Sequence, residues 1–263
     1  MEIILTENPT QAADLATREI LRALETKPDL VLGLATGSTP LEIYRRLASA
    51  QHKSGVDFSR VHTFNLDEYL DLPPDHAQSY RSFMQKHLFD HINIPADNIH
   101  FPPSDGERLR ARCEEYEQLM RDLGGIDIQI LGIGSNGHIG FNEPTSALRS
   151  RTRIKTLTDK TLADNSRFYR EGETQPMLAS TMGIGTILDV RRVLLQAFGE
   201  KKAEAIRAMV EGPVSSICPG SALQLHSHTT IYLDAGAAGL LQLRDYYRHT
   251  YELQTQLEKD GRL

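Results

Sequence analysis

Short apolar runs alternate along the chain with stretches whose apolar residues recur every three or four positions. Residues 30–35, Leu-Val-Leu-Gly-Leu-Ala, are closed by Thr36-Gly37-Ser38-Thr39-Pro40, which predicts a buried strand ending in a tight turn. Leu41, Tyr44 and Leu47/Ala48 then follow helical spacing through residue 50. The same reading predicts strands at 61–66, 126–131, 193–198 and 229–233, with helices at 9–25, 79–89, 107–123 and 201–210. Strands and helices in such alternation predict an α/β fold, an open, mostly parallel sheet with helices on both faces. No repeat or low-complexity linker divides the chain, so residues 1–263 are expected to form one domain. Segment 148–174, dense in Arg, Lys, Thr and Asp, is expected to be a surface excursion or a mobile flap over a site.

Composition narrows the class of partner. A chain of 263 residues buries roughly 70–75% of its unfolded surface and needs no covalent staple. With 29 Lys and Arg against 35 Asp and Glu, the net charge of −6 argues against a broad nucleic-acid face. Cys113 and Cys218 are too few for a disulfide framework or a thiolate zinc site. The first residues lack a basic leader, and no run approaches the ~18 apolar residues of a membrane helix, so a cytoplasmic protein is expected.

In open α/β sheets the chemistry gathers at the carboxyl ends of the strands, and four places meet that condition. Thr36-Gly37-Ser38-Thr39 offers backbone N–H groups at a helix start, a setting for phosphate that also suits a plain turn and N-cap. Asp67 and Glu68 follow the strand at 61–66, where one carboxylate can face the crevice as a general base while the other points away; both can equally be solvated. Gly132, Gly134 and Gly137 satisfy a formal Gly-x-Gly-x-x-Gly, but Gly140 and Pro144 follow where a dinucleotide motif needs a helix. That segment instead carries an imidazole, His138, with Asn136 and Glu143 nearby. Cations are supplied by Arg167 and by Lys201-Lys202 after the strand at 193–198. His87/His91 and His226/His228 lack a third ligand in the pattern, so no metal is assigned.

The strings Phe64-Asn65-Leu66-Asp67-Glu68-Tyr69 and Gly132 to Pro144 resemble the glucosamine-6-phosphate deaminase (isomerase) family. Supporting strings run in family order from about residue 30 to about 230, among them 33–40, 150–157, 165–168 and 223–226. The resemblance implies a sugar-phosphate isomerase-like fold and conversion of glucosamine 6-phosphate and water to fructose 6-phosphate and ammonia, without metal or organic cofactor. It implies Asp67 as the base moving a proton between C2 and C1, and His138 as the ring-opening group with Asn136 and Glu143 beside it. Thr36, Gly37, Ser38, Thr39, Arg167 and Lys202 are implied to hold the phosphate. Position 136 is aspartate in some members; an amide stabilises no imidazolium by charge, so Glu143 is expected to orient His138. Ser146, Arg153, Lys155 and Thr156 match the effector pocket of regulated members, whereas the region of Tyr246 and Tyr247 aligns poorly, and the reading is against allostery. A small sugar phosphate is the expected partner, with no nucleic acid and no membrane; a homo-oligomer stays open. Two other readings share these features: a 6-phosphogluconolactonase-like hydrolase, which needs no Asp67 proton shuttle, and a non-catalytic sugar-phosphate sensor, which would lose Asp67 or His138.

Overall fold

The computed structural model describes residues 1–73, 75–158 and 175–262. Seven parallel strands make the main sheet: β1 (Glu2–Leu5), β2 (Val31–Leu34), β3 (His62–Asn65), β5 (Ile99–His100), β6 (Ile128–Leu131), β9 (Arg192–Ala197) and β10 (Thr229–Leu233). Their spatial order is β1-β10-β9-β6-β2-β3-β5. A second, antiparallel sheet joins β4 (Asp67–Tyr69), β8 (Leu178–Thr181) and β7 (Arg153–Thr156), in the order β4-β8-β7.

Period-two alternation on the strands loads both faces of the main sheet. Leu32, Ile128, Ile130, Leu194 and Tyr232 pack toward α1 (Pro9–Thr26), α2 (Leu41–Ser54) and α3 (Tyr80–His87), through Ile20, Ile43, Leu47 and Met84. Val31, Leu131, Val193, Leu195 and Ile231 face the opposite layer, where α4 (Leu109–Asp122), α5 (Ile184–Leu188) and α6 (Ala203–Val210) contribute Tyr116, Met120, Ile187, Ile206 and Met209. Helices therefore cover both faces, as the alternation of apolar runs predicts. No helix among the described residues is long and apolar enough to cross a membrane.

The strand order creates the site. The chain steps outward from β2 to β3 and β5, then returns to the other flank of β2 with β6 and continues away through β9 and β10. The connections leaving β2 and β6 thus diverge, and a crevice opens between them at their carboxyl ends.

Several elements depart from the sequence reading. Ile3 and Ile4 form an edge strand, each buried in a different core layer, where only a short apolar run is visible in the sequence. Segment 148–174 is not wholly an excursion: residues 153–156 are β7, paired with β8. Residues 159–174 of the expected flap lie outside the described residues. The chain ends in α7 (Arg244–Lys259), which the sequence reading missed because its polar residues outnumber the few apolar positions, such as Tyr247 and Tyr251, that it sets against the cores.

Candidate active site

A cleft of about 840 Å³ occupies the crevice, and Thr36, Gly37, Ser38, Thr39, Asp67, His138 and Lys202 all line it. They come from four strand ends: Thr36–Thr39 after β2, Asp67 after β3, His138 after β6 and Lys202 after β9. The Thr36–Thr39 loop follows β2 and leads into α2, whose N-cap is Pro40 with no side-chain acceptor, so the first N–H groups of α2 are uncapped beside the cleft. Lys202 stands in a single 3-10 turn after β9, and its Nζ donates to the Ile133 carbonyl at 2.6 Å, tying this cation to the loop after β6.

Asp67 and Glu68 separate as neighbours on a strand must. The Glu68 carboxylate accepts from the backbone N–H groups of Tyr69, Tyr80 and Arg81 at 2.8–2.9 Å, which caps the start of α3. Burial still raises its pKa, against those three donors. Asp67 points into the cleft, 7% exposed. Burial, then the neighbouring Glu68 carboxylate, raises its pKa to about 8. A carboxyl group with that pKa can both release and regain a proton near neutrality.

Two glycines of the formal dinucleotide motif serve the imidazole. Gly134 donates to the His138 carbonyl at 2.9 Å, closing a tight turn. A Cβ on Gly134 would stand 2.2–2.4 Å from three atoms of the His138 ring. Gly137 has φ +84°, and a Cβ there would also meet Cys218 Sγ at 2.6 Å. No helix opens after Gly137, so the motif frames a histidine and not a pyrophosphate.

Around that histidine the carboxylate does more than the amide. His138 Nδ1 lies 3.5 Å from Glu143 Oε2. Asn136 meets the histidine only at the backbone, accepting from the His138 N–H at 3.3 Å, and donates through Nδ2 to Glu143 Oε2 at 2.7 Å. Asn136 therefore steadies the carboxylate, and the carboxylate faces the ring. The loop itself is braced by Asn142, whose Nδ2 donates to the Ile139 and Met182 carbonyls at 2.9 and 2.8 Å.

Arg167 lies outside the described residues. Ser146, Arg153, Lys155 and Thr156 are described, and none of them lines the cleft. Ser146 is buried, while Lys155 and Thr156 sit on β7. Arg153 Nη1 donates to Asn142 Oδ1 at 2.8 Å, and Arg153, Thr181 and Asp67 stand in one row across the small sheet.

Sequence reasoning missed an aromatic wall. Tyr69, Tyr80 and Phe141 line the cleft with ring centroids 4.8–5.9 Å apart, and Phe83 adds a fourth ring. Tyr69 closes the Asp67-Glu68-Tyr69 string and Tyr80 follows the Ser79 N-cap, so proximity to those signals was the available hint. His226 is a core residue: its Nε2 lies 2.7 Å from the Val190 carbonyl, and its Nδ1 takes the His228 N–H at 3.2 Å. Among the described residues no group of three His, Cys, Asp or Glu converges as a metal site would require.

Residues 6–232 match the family of glucosamine-6-phosphate isomerases and 6-phosphogluconolactonases. The chain is 54% identical to a glucosamine-6-phosphate deaminase of Shewanella loihica over 98% of this chain and 96% of that one. A second deaminase, of Hahella chejuensis, is 53% identical over 94% and 95%. Among solved structures, a glucosamine-6-phosphate deaminase described as monomeric superposes with TM-score 0.88 at 42% identity, covering 91% of this chain and 100% of that one. The 6-phosphogluconolactonase of Leishmania guyanensis gives TM-score 0.71 at 22% identity over 90% and 97%, which shows a shared fold alone. High identity over nearly the full length falls on one side of this division, and the chain belongs to the glucosamine-6-phosphate deaminase family.

Proposed function

We propose that the protein converts glucosamine 6-phosphate and water to fructose 6-phosphate and ammonia, in the cytoplasm and without a metal ion. The observation that carries this reading is the buried Asp67 carboxyl group, with a pKa of about 8, sharing one cleft with His138. His138, with Nδ1 toward Glu143, moves a proton from the anomeric hydroxyl to the ring oxygen through its other nitrogen and opens the ring. Asp67 then takes the C2 proton of the open-chain amino aldehyde and returns it to C1. With one proton passing from the amine nitrogen to the C1 oxygen, that shift turns the C2 amine into an imine and the C1 aldehyde into a hydroxymethyl group, and water hydrolyses the imine to the C2 ketone with release of ammonia. One carboxylate serves both carbons because they are adjacent on one face. The Thr36–Thr39 loop, the start of α2, Lys202 and Arg167 hold the phosphate, whose binding energy fixes the sugar for the proton shift. Ser146, Arg153, Lys155 and Thr156 take no part in the turnover.

The test is incubation of the chelator-treated protein with glucosamine 6-phosphate, measuring ammonia and fructose 6-phosphate together. Equal amounts of both are expected; sugar-phosphate binding without ammonia would overturn the reading. Lys202→Ala is expected to raise KM by about tenfold or more and to lower kcat less, because a charged hydrogen bond to a phosphate is worth about 1.5–3 kcal/mol. Glu143→Gln removes the charge facing His138 and is expected to lower kcat by about 10- to 100-fold. Ring opening, followed by anomer-exchange NMR, should slow with it; an unchanged ring-opening rate and pH profile would show that Glu143 does not orient the imidazole.

A further inference from the structure

A second hollow lies at the far ends of α2 and α3, away from the cleft. It measures about 410 Å³, and its polar lining includes Arg45, His52, Lys53, Lys86, His87 and His91, with no carboxylate among the lining residues. On a chain of net charge −6 this is a local inversion of sign.

Helix ends account for part of it. The C-termini of α2 and α3 each present about half a negative charge and favour nearby cations. Two such ends amount to about one unit, against three permanent cations and three imidazoles. Arg45, moreover, lies near the start of α2 and not at its end. The nearby acids do not close the balance. Glu42 pairs with Arg45 at 3.0 Å, and Asp90 accepts from the Gln85 amide, both outside the lining. Among the described residues, Lys53 and Lys86 make no ion pair. His91 Nε2 is 2.9 Å from the Lys86 carbonyl, which leaves Nδ1 as its uncommitted nitrogen. His87 has its pKa lowered by burial and then by Lys86, His91 and Arg45, as expected where positive charge gathers.

We propose that this hollow is a second anion site, binding a compact, multiply charged phosphoryl group, either free or carried on a small phosphorylated metabolite. The permanent cations supply the attraction, and the imidazoles supply short directional donors. Its size admits a small molecule, and the acidic balance of the rest of the chain opposes a long polyanion. The two hollows share structure: α2 begins at the Thr36–Thr39 loop, α3 begins at Tyr80, and Phe83 of the cleft lies 4.5 Å from the His87 ring between centroids. This site does not rest on the proposed reaction.

Histidine-selective NMR of the full chain, at near-neutral pH and constant ionic strength, reads both places at once. His52, His87 and His91 report the hollow, and His138 reports the cleft. Inorganic pyrophosphate and glucose 6-phosphate are the two probes. Saturable shifts at His87 and His91 in the millimolar range or below are expected with pyrophosphate, with glucose 6-phosphate, or with both, and the pattern identifies the source of the phosphoryl group. The exposed double variant Lys53→Gln/Lys86→Gln should raise that Kd by about tenfold or more, leaving thermal unfolding, turnover and the His138 response unchanged. Non-saturable shifts with both probes, shifts reproduced by sodium chloride, or a Kd unchanged in the double variant would overturn the proposal.

Discussion

Replacing Asp67 with asparagine is expected to lower kcat by about 10³-fold or more, because proton transfer at carbon loses its base while the cleft keeps its shape. The wild-type pH profile should carry the same signature. A base must be ionised, so kcat/KM is expected to rise with pH toward about 8 and then level. Stability should move the other way. The folded-state pKa of Asp67, about 8, stands above the ordinary carboxylate value of about 3.9. Between those values the folded chain keeps a proton that the unfolded chain has released, so stability falls as pH rises through that window. Above about 8 the penalty is complete, and Asp67→Asn, which carries no charge to bury, should be the more stable protein by several kcal/mol. Urea unfolding of both proteins at pH near 5 and near 9 checks this. The gap is expected to be much wider at the higher value; the same gap at both would mean that the buried charge is not its cause.

Gly134→Ala is expected to reduce kcat by about 10²-fold with little change in sugar-phosphate binding. The new methyl group would overlap the His138 ring at 2.2–2.4 Å, where carbon atoms need about 3.5 Å, so the imidazole must move by about 1 Å or more. Displacement on that scale costs about two orders of magnitude in rate. The phosphate loop hangs from β2 and α2 and is untouched, so Kd for an inert sugar phosphate should hold. Full turnover in this variant would show that the reaction does not need the imidazole where the fold holds it.

Much of this was legible in the sequence, for identifiable reasons. Strands at the centre of the sheet are buried on both faces and therefore read as continuous apolar runs; those before Thr36, Asp67 and Gly132 announce the loops that carry the chemistry. The small sheet was hidden because β4, β7 and β8 are three or four residues long and mix Asp, Glu, Arg, Lys, Ser and Thr with few apolar positions. Their pairing is a tertiary fact, set by Met182 N–H meeting the Leu66 carbonyl at 2.7 Å across more than a hundred residues. The aromatic wall was hidden for the same reason, since Tyr69, Tyr80 and Phe141 meet only once β4, α3 and the loop after β6 converge. The glycine pattern was legible but ambiguous: backbone room for a pyrophosphate and backbone room for an imidazole leave the same letters.

The opposite assignments of Asp67 and Glu68 rest on the pairing of β4 with β8, in which Asp67 stands opposite Thr181 and Glu68 opposite Ser180. Successive side chains on a strand leave opposite faces, so which acid reaches the substrate is a matter of odd and even. Deletion of one residue just before Asp67, such as Leu66, would send the longer acid into the cleft and leave the start of α3 without its acceptor. A substitution in this stretch acts on one side chain at a time, whereas a change of length by one residue reverses the face of every side chain in the strand.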